Sequence, residues 1–206
     1  SFGSLASSTA QTASLGSDTR AVTAGGIGGT TNVIEYTTFA ATGSMVDFGD
    51  LAANNQSASA LSNSTRGLIN GGEEGSSTNR IQYITIASTG NTADFGDLDA
   101  ALQLHGASAS PTRGVIAGGL TAPAVDTIQY VTIATTGNTT DFGNLLAATY
   151  NLAGVSSSTR IAFGGTQSFT DVIQYVTTAT TGNSIDFGNL TVGRGSIASG
   201  SSSIRG

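Results

Sequence analysis

The amino-acid sequence predicts an all-β protein built from one unit that repeats about every 47 residues. The tripeptide Asp-Phe-Gly begins at Asp47, Asp94, Asp141 and Asp186, so successive copies lie 47, 47 and 45 residues apart. Glycine interrupts every window of helical length, and Thr and Val outnumber Leu and Lys in the regular stretches. We therefore expect strands joined by turns along the whole chain, and no helices.

An arginine, a Gly-Gly pair and a tyrosine precede each tripeptide at nearly fixed distances. A disordered chain has no reason to keep such residues in register, so the Gly- and Ser-rich composition does not indicate disorder. We expect the phenylalanine to pack between units, the glycine to end its strand, and the aspartate to accept hydrogen bonds from nearby amides. The arginine should tether one unit to the next through carbonyl groups or that aspartate. These structural positions are Tyr36, Tyr83, Tyr130 and Tyr175, Phe48, Phe95, Phe142 and Phe187, and Arg20, Arg66, Arg113 and Arg160.

Each unit contains four short segments with strand composition. In the fourth copy they span residues 150–156, 160–163, 171–179 and 184–190. Gly, Asn and Ser separate them, and these residues supply the turns that join antiparallel strands. Each unit is therefore predicted to form one four-stranded antiparallel sheet.

The third strand of the third copy predicts how the sheets are arranged. Over residues 128–134, one face carries Ile128 and Tyr130, and the other carries Val131 and Ile133. A sheet with one face in water would alternate apolar and polar residues, so apolar residues on both faces indicate a sheet packed between two others. Four-stranded repeats of 40 to 50 residues that pack in this way are typical of the blades of a β-propeller.

The elements of each unit resemble a kelch repeat: a strand ending in Gly118-Gly119, a loop, a strand with Tyr130, a turn and a strand with Phe142. The family usually has tryptophan where this chain has phenylalanine. The strings TIATTGN and DFGNL are similar to kelch-type repeats in virion proteins of marine bacteriophages. This resemblance implies a kelch-like β-propeller in a tail fibre or another component of the virion surface. Such a component would contact a host glycan or protein, or other virion proteins.

Residues 1–206 are predicted to form a single repeat array, with four full repeats and a partial blade at each end. Residues 1–5 match a fourth strand, and residues 201–206 match a first strand and the start of a second. Two interpretations follow. The array is part of a longer chain of six or seven blades, which we favour, or it is a five-bladed ring that the N-terminal strand completes.

Composition excludes several kinds of partner. The net charge of −6 with seven basic residues argues against binding nucleic acid or anionic membrane surfaces. No apolar run is long enough to insert into a membrane, and the absence of cysteine excludes disulfides and thiolate metal sites. With His105 as the only histidine, we expect no enzyme, no cofactor and no bound metal. Calcium binding by Glu73 and Glu74 is an alternative, but a solvated loop is the simpler explanation.

The segments that differ between copies predict a binding surface, which we call the loop face. They are the loops after Gly-Gly and the connections after each fourth strand, and in a four-stranded meander both lie at the same end. The loops are residues 27–32, 73–80, 120–126 and 166–171, and the connections are residues 52–56, 99–105, 147–151 and 191–195. We expect a protein or glycan ligand here, although unconstrained loops also vary. The candidate contacts are Glu73, Glu74, Gln103, His105, Tyr150, Gln167 and Phe169.

Three alternatives stay open at this point. A secreted or surface-attached bacterial adhesin of the same fold would also bind through its loops. An enzyme built on the fold would need clustered carboxylates or histidines. A fibrous β-solenoid would make two coils from each 47-residue unit. Because an open array would leave an apolar face in water, we also expect either ring closure or oligomerisation.

Overall fold

The computed structural model of the protein describes residues 3–6, 8–28 and 32–201. This part of the chain contains strands and no helices, so it has no helix that is long and apolar enough to cross a membrane. The strands form four antiparallel four-stranded sheets, and within each sheet neighbours follow chain order. The all-β prediction and the prediction of four strands per unit are confirmed. A solenoid is excluded because the strands of a sheet all come from one repeat.

The strand bounds follow the repeat closely. Sheet 1 consists of β1 (Ala13–Gly16), β2 (Arg20–Ala24), β3 (Val33–Thr38) and β4 (Val46–Asp50). Sheet 2 consists of β5 (Ser59–Ser62), β6 (Arg66–Asn70), β7 (Arg80–Thr85) and β8 (Ala93–Asp97). Sheet 3 consists of β9 (Gly106–Ala109), β10 (Arg113–Ala117), β11 (Thr127–Thr132) and β12 (Thr140–Asn144). Sheet 4 consists of β13 (Ala153–Ser156), β14 (Arg160–Gly164), β15 (Val172–Thr177) and β16 (Ile185–Asn189).

In the fourth copy, the first strand is shorter than predicted. It begins at Ala153 rather than at residue 150. The reason is that the carbonyl of Tyr150 accepts a hydrogen bond from the amide of Gln167 instead of pairing within the sheet (3.1 Å). The residues before β13 therefore belong to the surface connection.

Consecutive sheets pack face to face, as the apolar residues on both strand faces predicted. We call the face of each sheet that points to the next sheet in chain order its forward face, and the opposite one its backward face. Between sheets 2 and 3, Phe95 and Ile81 on the forward face pack against Ile116, Val131 and Ile133 on the backward face. Equivalent buried clusters lie between sheets 1 and 2 and between sheets 3 and 4. Each inner sheet is thus shielded on both sides by its neighbours.

The recurring arginine ties each sheet to the next through a backbone carbonyl, one of its two predicted partners. Arg66 Nη1 donates to the carbonyl of Ile133 in sheet 3 (2.8 Å), and its guanidinium lies 4.4 Å from the centre of the Tyr83 ring. The same bond joins Arg20 to Ile86 and Arg113 to Thr178. Because the guanidinium is held between a ring and a carbonyl, this contact aligns neighbouring sheets as well as binding them together.

The prediction that the glycine of the tripeptide ends its strand is wrong. Gly96 lies inside β8, and the strand continues to Asp97. A Cβ atom on Gly96 would be 2.4 Å from the carbonyl oxygen of Gly137 in the next sheet, whose amide donates to the carbonyl of Phe95 (2.7 Å). The glycine is therefore required for the close approach of two backbones.

The aspartate of the tripeptide has a smaller role than predicted. All four of these aspartates are exposed, and in the described residues only Asp186 accepts a hydrogen bond from a nearby amide, that of Gly188 (3.2 Å). None of them is the partner of the recurring arginine.

Both ends of the array carry single segments beside the outer sheets. Residues 3–6 lie along sheet 1, where the amide of Met45 donates to the carbonyl of Ser4 (2.9 Å). Residues 197–201 lie beside sheet 4, where Ser199 Oγ donates to the carbonyl of Gly154 (2.8 Å). Most of the predicted match to a first and second strand at residues 201–206 lies outside the described residues.

Candidate binding surface

The loop face forms one end of the array. In each sheet the chain runs as a simple meander, so the loop after the second strand and the connection after the fourth lie at the same end. The short turns after the first and third strands lie at the other end. The variable segments therefore share one surface, and the nearly constant turns share the opposite one.

Loops and connections are tied to each other by backbone hydrogen bonds. Gln56 and Glu73 exchange two such bonds (3.2 and 2.8 Å), and Gln103 and Leu120 do the same (3.3 and 2.9 Å). Ala10 and Ile27 form the equivalent pair in sheet 1. The surface is thus a set of loops that hold one another in place.

The two glutamates on the loop face have separate partners. Gln56 Nε2 donates to the carboxylate of Glu73 (3.0 Å), whereas the carboxylate of Glu74 lies 3.6 Å from the guanidinium of Arg80. The two side chains are therefore not brought together on one ligand. In the described part of the chain, no group of three or more His, Asp or Glu residues is placed to hold a metal ion.

The loops of sheet 4 bring together three of the predicted contact residues. Gln167 binds the carbonyl of Tyr150 through its backbone, and Asn151 Nδ2 donates to Gln167 Oε1 (2.8 Å). Two residues further, the Phe169 side chain is 64% exposed. We call Tyr150, Asn151, Gln167 and Phe169 the sheet-4 loop site. It combines aromatic rings with an oriented pair of amides and contains no charged side chain.

Asn151 in this site was not predicted from the sequence. It has a φ of 60°, and residues with φ between 52° and 60° recur just before the first-strand position in every repeat. Those residues are Gln11, Ser57, Leu104, Asn151 and Ser196. Asparagine tolerates this left-handed conformation better than most residues, so an Asn here was a usable signal.

His105 does not belong to the exposed surface on which it was predicted. Its side chain is only 5% exposed and packs between sheets 2 and 3 against the backbones of Gly71 and Gly119. Burial lowers its pKa from 6.5 to about 4, because the protonated imidazole would lose its hydration. The imidazole is therefore not exposed to a ligand on the loop face, and the prediction of His105 as a surface contact is wrong.

His105 is part of a buried polar corner with Ser59 and Asn70. Ser59 and Asn70 are directly opposite each other on β5 and β6, and both face sheet 3. Ser59 Oγ, Asn70 Oδ1 and both ring nitrogens of His105 are buried without a hydrogen-bond partner in the described structure. Unpaired buried polar atoms lower stability, so this corner is the least favourable part of the contact between sheets 2 and 3.

A central cavity of about 580 Å³ lies where the first strands of all four sheets meet residues 197–201. Its described lining is mostly small and hydroxyl-bearing residues, with no Asp, Glu, Lys or Arg, and it also includes Leu15, Leu61, His105, Leu152 and Ile197. Five similar segments thus line one cavity, four of them first strands. Neither a protein-family model nor a curated protein matches this chain.

Proposed function

We propose that the chain is a kelch-like β-propeller module, without catalytic activity, that binds a protein or glycan through its loop face. The face-to-face packing of consecutive sheets and the shared axial cavity support the propeller arrangement. The resemblance of the repeats to phage virion proteins supports a place on the virion surface.

The observation that carries this proposal is the sheet-4 loop site. An exposed aromatic ring packs against the apolar face of a sugar, and amide groups fixed beside it donate and accept hydrogen bonds with hydroxyls. The Asn151–Gln167 bond orients both amides before any ligand arrives, which reduces the entropy lost on binding. Since no charge is present in the site, neutral hexose units are the ligand class that fits best.

Phe169→Ala tests this proposal on an array of neutral oligosaccharides. Because Phe169 supplies the exposed ring, we expect its loss to lower the affinity for any bound glycan about tenfold or more. Ile185→Ala is the matched control, because Ile185 is 58% exposed on the same sheet but follows the turn at the opposite end. Binding that survives Phe169→Ala, or that Ile185→Ala weakens equally, would contradict the proposed site.

A further inference from the structure

In the described part of the chain, no sheet covers the forward face of sheet 4, whereas a following sheet covers each of the other three forward faces. Phe187 is 57% exposed, whereas Phe48, Phe95 and Phe142 are each 2% exposed. A cavity of about 400 Å³ lies over this face and is lined by Val155, Ile173, Tyr175, Phe187, Leu190 and Ile197. Exposed apolar surfaces of this kind mark interaction sites.

Residues 197–201 already occupy the place of a first strand beside this face. Ile197 lies against Gly165 as Leu152 lies against Gly118 one sheet earlier. The amide of Ser156 donates to Ser201 Oγ (3.4 Å), which repeats the bond from Gly16 to Ser62 Oγ between sheets 1 and 2 (3.3 Å).

Residues 3–6 occupy the place of a fourth strand on the other side of the gap. The Met45–Ser4 bond repeats the bond from the amide of Thr92 to the carbonyl of Asp50 (both 2.9 Å). The amide of Ala6 donates to the carboxylate of Glu35 (3.2 Å), as the amide of Ala52 donates to Gln82 Oε1 (2.8 Å). This segment therefore contacts the backward face of sheet 1 in the way that each fourth strand contacts the next sheet.

Because β1 and residues 197–201 line the same cavity, the simplest arrangement is that residues 197–201 and residues 3–6 border one gap. A sheet in this gap would have its first and fourth strands supplied by the chain itself, and would need two more. We propose that the forward face of sheet 4 binds a β-hairpin with the pattern of this chain's own second and third strands, inserted between residues 197–201 and residues 3–6.

The inner interfaces define the chemistry of that hairpin. Its backward face must carry aliphatic residues where sheet 3 has Ile116, Val131 and Ile133. Its third strand must present a carbonyl to Arg160, whose guanidinium lies 4.8 Å from the centre of the Tyr175 ring, as Ile133 presents one to Arg66. Backbone pairing with the flanking segments would add main-chain hydrogen bonds, as in other cases of strand addition.

A second copy of the chain fits this face less well. Among the four described sheets, sheet 1 is the one whose backward face has no full sheet against it, and the Met45 amide and the Glu35 carboxylate on that face are already bonded to residues 3–6. That face also carries Thr23 and Thr37 at the positions of Ile69 and Ile84 in sheet 2. It therefore offers fewer aliphatic side chains to Phe187.

The test is a titration of the 206-residue chain with a synthetic peptide. The peptide copies residues 110–134, which contain β10, the loop after it and β11. We expect saturable binding that falls about tenfold or more with Phe187→Asp in the protein or with Ile116→Asp and Val131→Asp in the peptide. Hydrogen exchange at β16 should slow when the peptide binds. Phe169→Ala should leave this binding unchanged, which separates the hairpin site from the glycan site.

The peptide could fail to bind because it does not form a hairpin on its own. A second experiment therefore attaches the hairpin covalently to the chain. Because Arg205-Gly206 matches Arg113-Gly114 in sequence, a copy of residues 115–134 is added after Gly206. We expect this extension to raise the unfolding temperature and to slow exchange at β16. The proposal is overturned if neither the peptide binds nor the extension stabilises. It is also overturned if sedimentation shows a dimer of the chain that Phe187→Asp dissociates.

Discussion

The forward faces of sheets 2 and 4 have the same internal geometry and opposite surroundings. Tyr83 and Phe95 meet edge to face with ring centres 6.1 Å apart, and Tyr175 and Phe187 do so at 5.7 Å. Arg66 and Arg160 lie over their tyrosines at 4.4 and 4.8 Å. Yet Phe95 is buried and Phe187 is mostly exposed. The conformation of this face is therefore set within each sheet, whereas its burial depends on the sheet that follows.

This difference shows where the stability of the array comes from. A four-stranded unit of this size cannot bury both of its faces, so each unit gains most of its hydrophobic stabilisation from its neighbours. Full burial of one phenylalanine stabilises by about 1.5–3 kcal/mol relative to leaving it exposed. The same residue type should thus matter greatly in sheets 1 to 3 and little in sheet 4.

Phe142→Ala and Phe187→Ala test this comparison most strongly. We expect Phe142→Ala to lower the free energy of unfolding by about 3–5 kcal/mol, because it removes a buried ring and leaves a cavity between sheets 3 and 4. Phe187→Ala should cost under about 1 kcal/mol, because its ring is mostly in water. Chemical denaturation followed by circular dichroism measures both. Equal losses in the two variants would mean that stacking of successive sheets does not stabilise the array.

The three inner interfaces also differ among themselves at the corner near the loop face. Between sheets 3 and 4 this corner holds Leu152 and Ala117. Between sheets 2 and 3 the equivalent places hold His105 and Asn70. Both versions are buried, but only the second contains side chains that can ionise or remain unpaired. The interface between sheets 2 and 3 should therefore be the one that responds to acid.

The pH dependence of unfolding tests this second comparison through His105. Its pKa is about 4 in the folded chain and 6.5 in the unfolded chain, so below pH 6.5 the unfolded state binds more protons. Stability is unaffected by this group above pH 6.5 and falls as the pH drops from 6.5 to 4, by about 3 kcal/mol in total.

His105→Leu is the matched variant, because it copies Leu152 from the next interface. Carboxylates titrate in the same range, so the quantity to measure is the difference in unfolding free energy between the two proteins from pH 7 to pH 4. A difference that stays constant over this range would show that His105 is solvated rather than buried.

Much of the fold could be predicted because the repeat constrains it. The spacing of the tripeptide fixed the unit, and the apolar residues on both faces of residues 128–134 indicated sheets packed between sheets. The arginine tether was also predictable, since a long side chain at one fixed place in each unit needs a partner that is repeated too. In the described residues, backbone carbonyls of the following sheet meet that requirement for Arg20, Arg66 and Arg113.

The candidate surface was harder to predict, because sequence differences between the repeats do not show whether a side chain is buried or exposed. His105 lies in a variable connection, but its side chain turns inward between two sheets. Asn151 was missed because its contribution depends on a bond to Gln167, which comes from a different loop. Contacts between segments that vary independently leave no periodic signal in one sequence.

The sequence also did not reveal that the tripeptide glycine allows two backbones to approach closely. A comparison of Gly96→Ala with Gly188→Ala tests this role. Both glycines have similar backbone conformations, with φ of 147° and 141°, so alanine strains the backbone in both. Only at Gly96 would the new methyl group meet another backbone, that of Gly137, since nothing lies within 4 Å at Gly188. We therefore expect Gly96→Ala to destabilise by about 1–3 kcal/mol more than Gly188→Ala, the usual cost of overpacking. Thermal unfolding of the pair measures the difference, and equal shifts would mean that the glycine serves only its own strand.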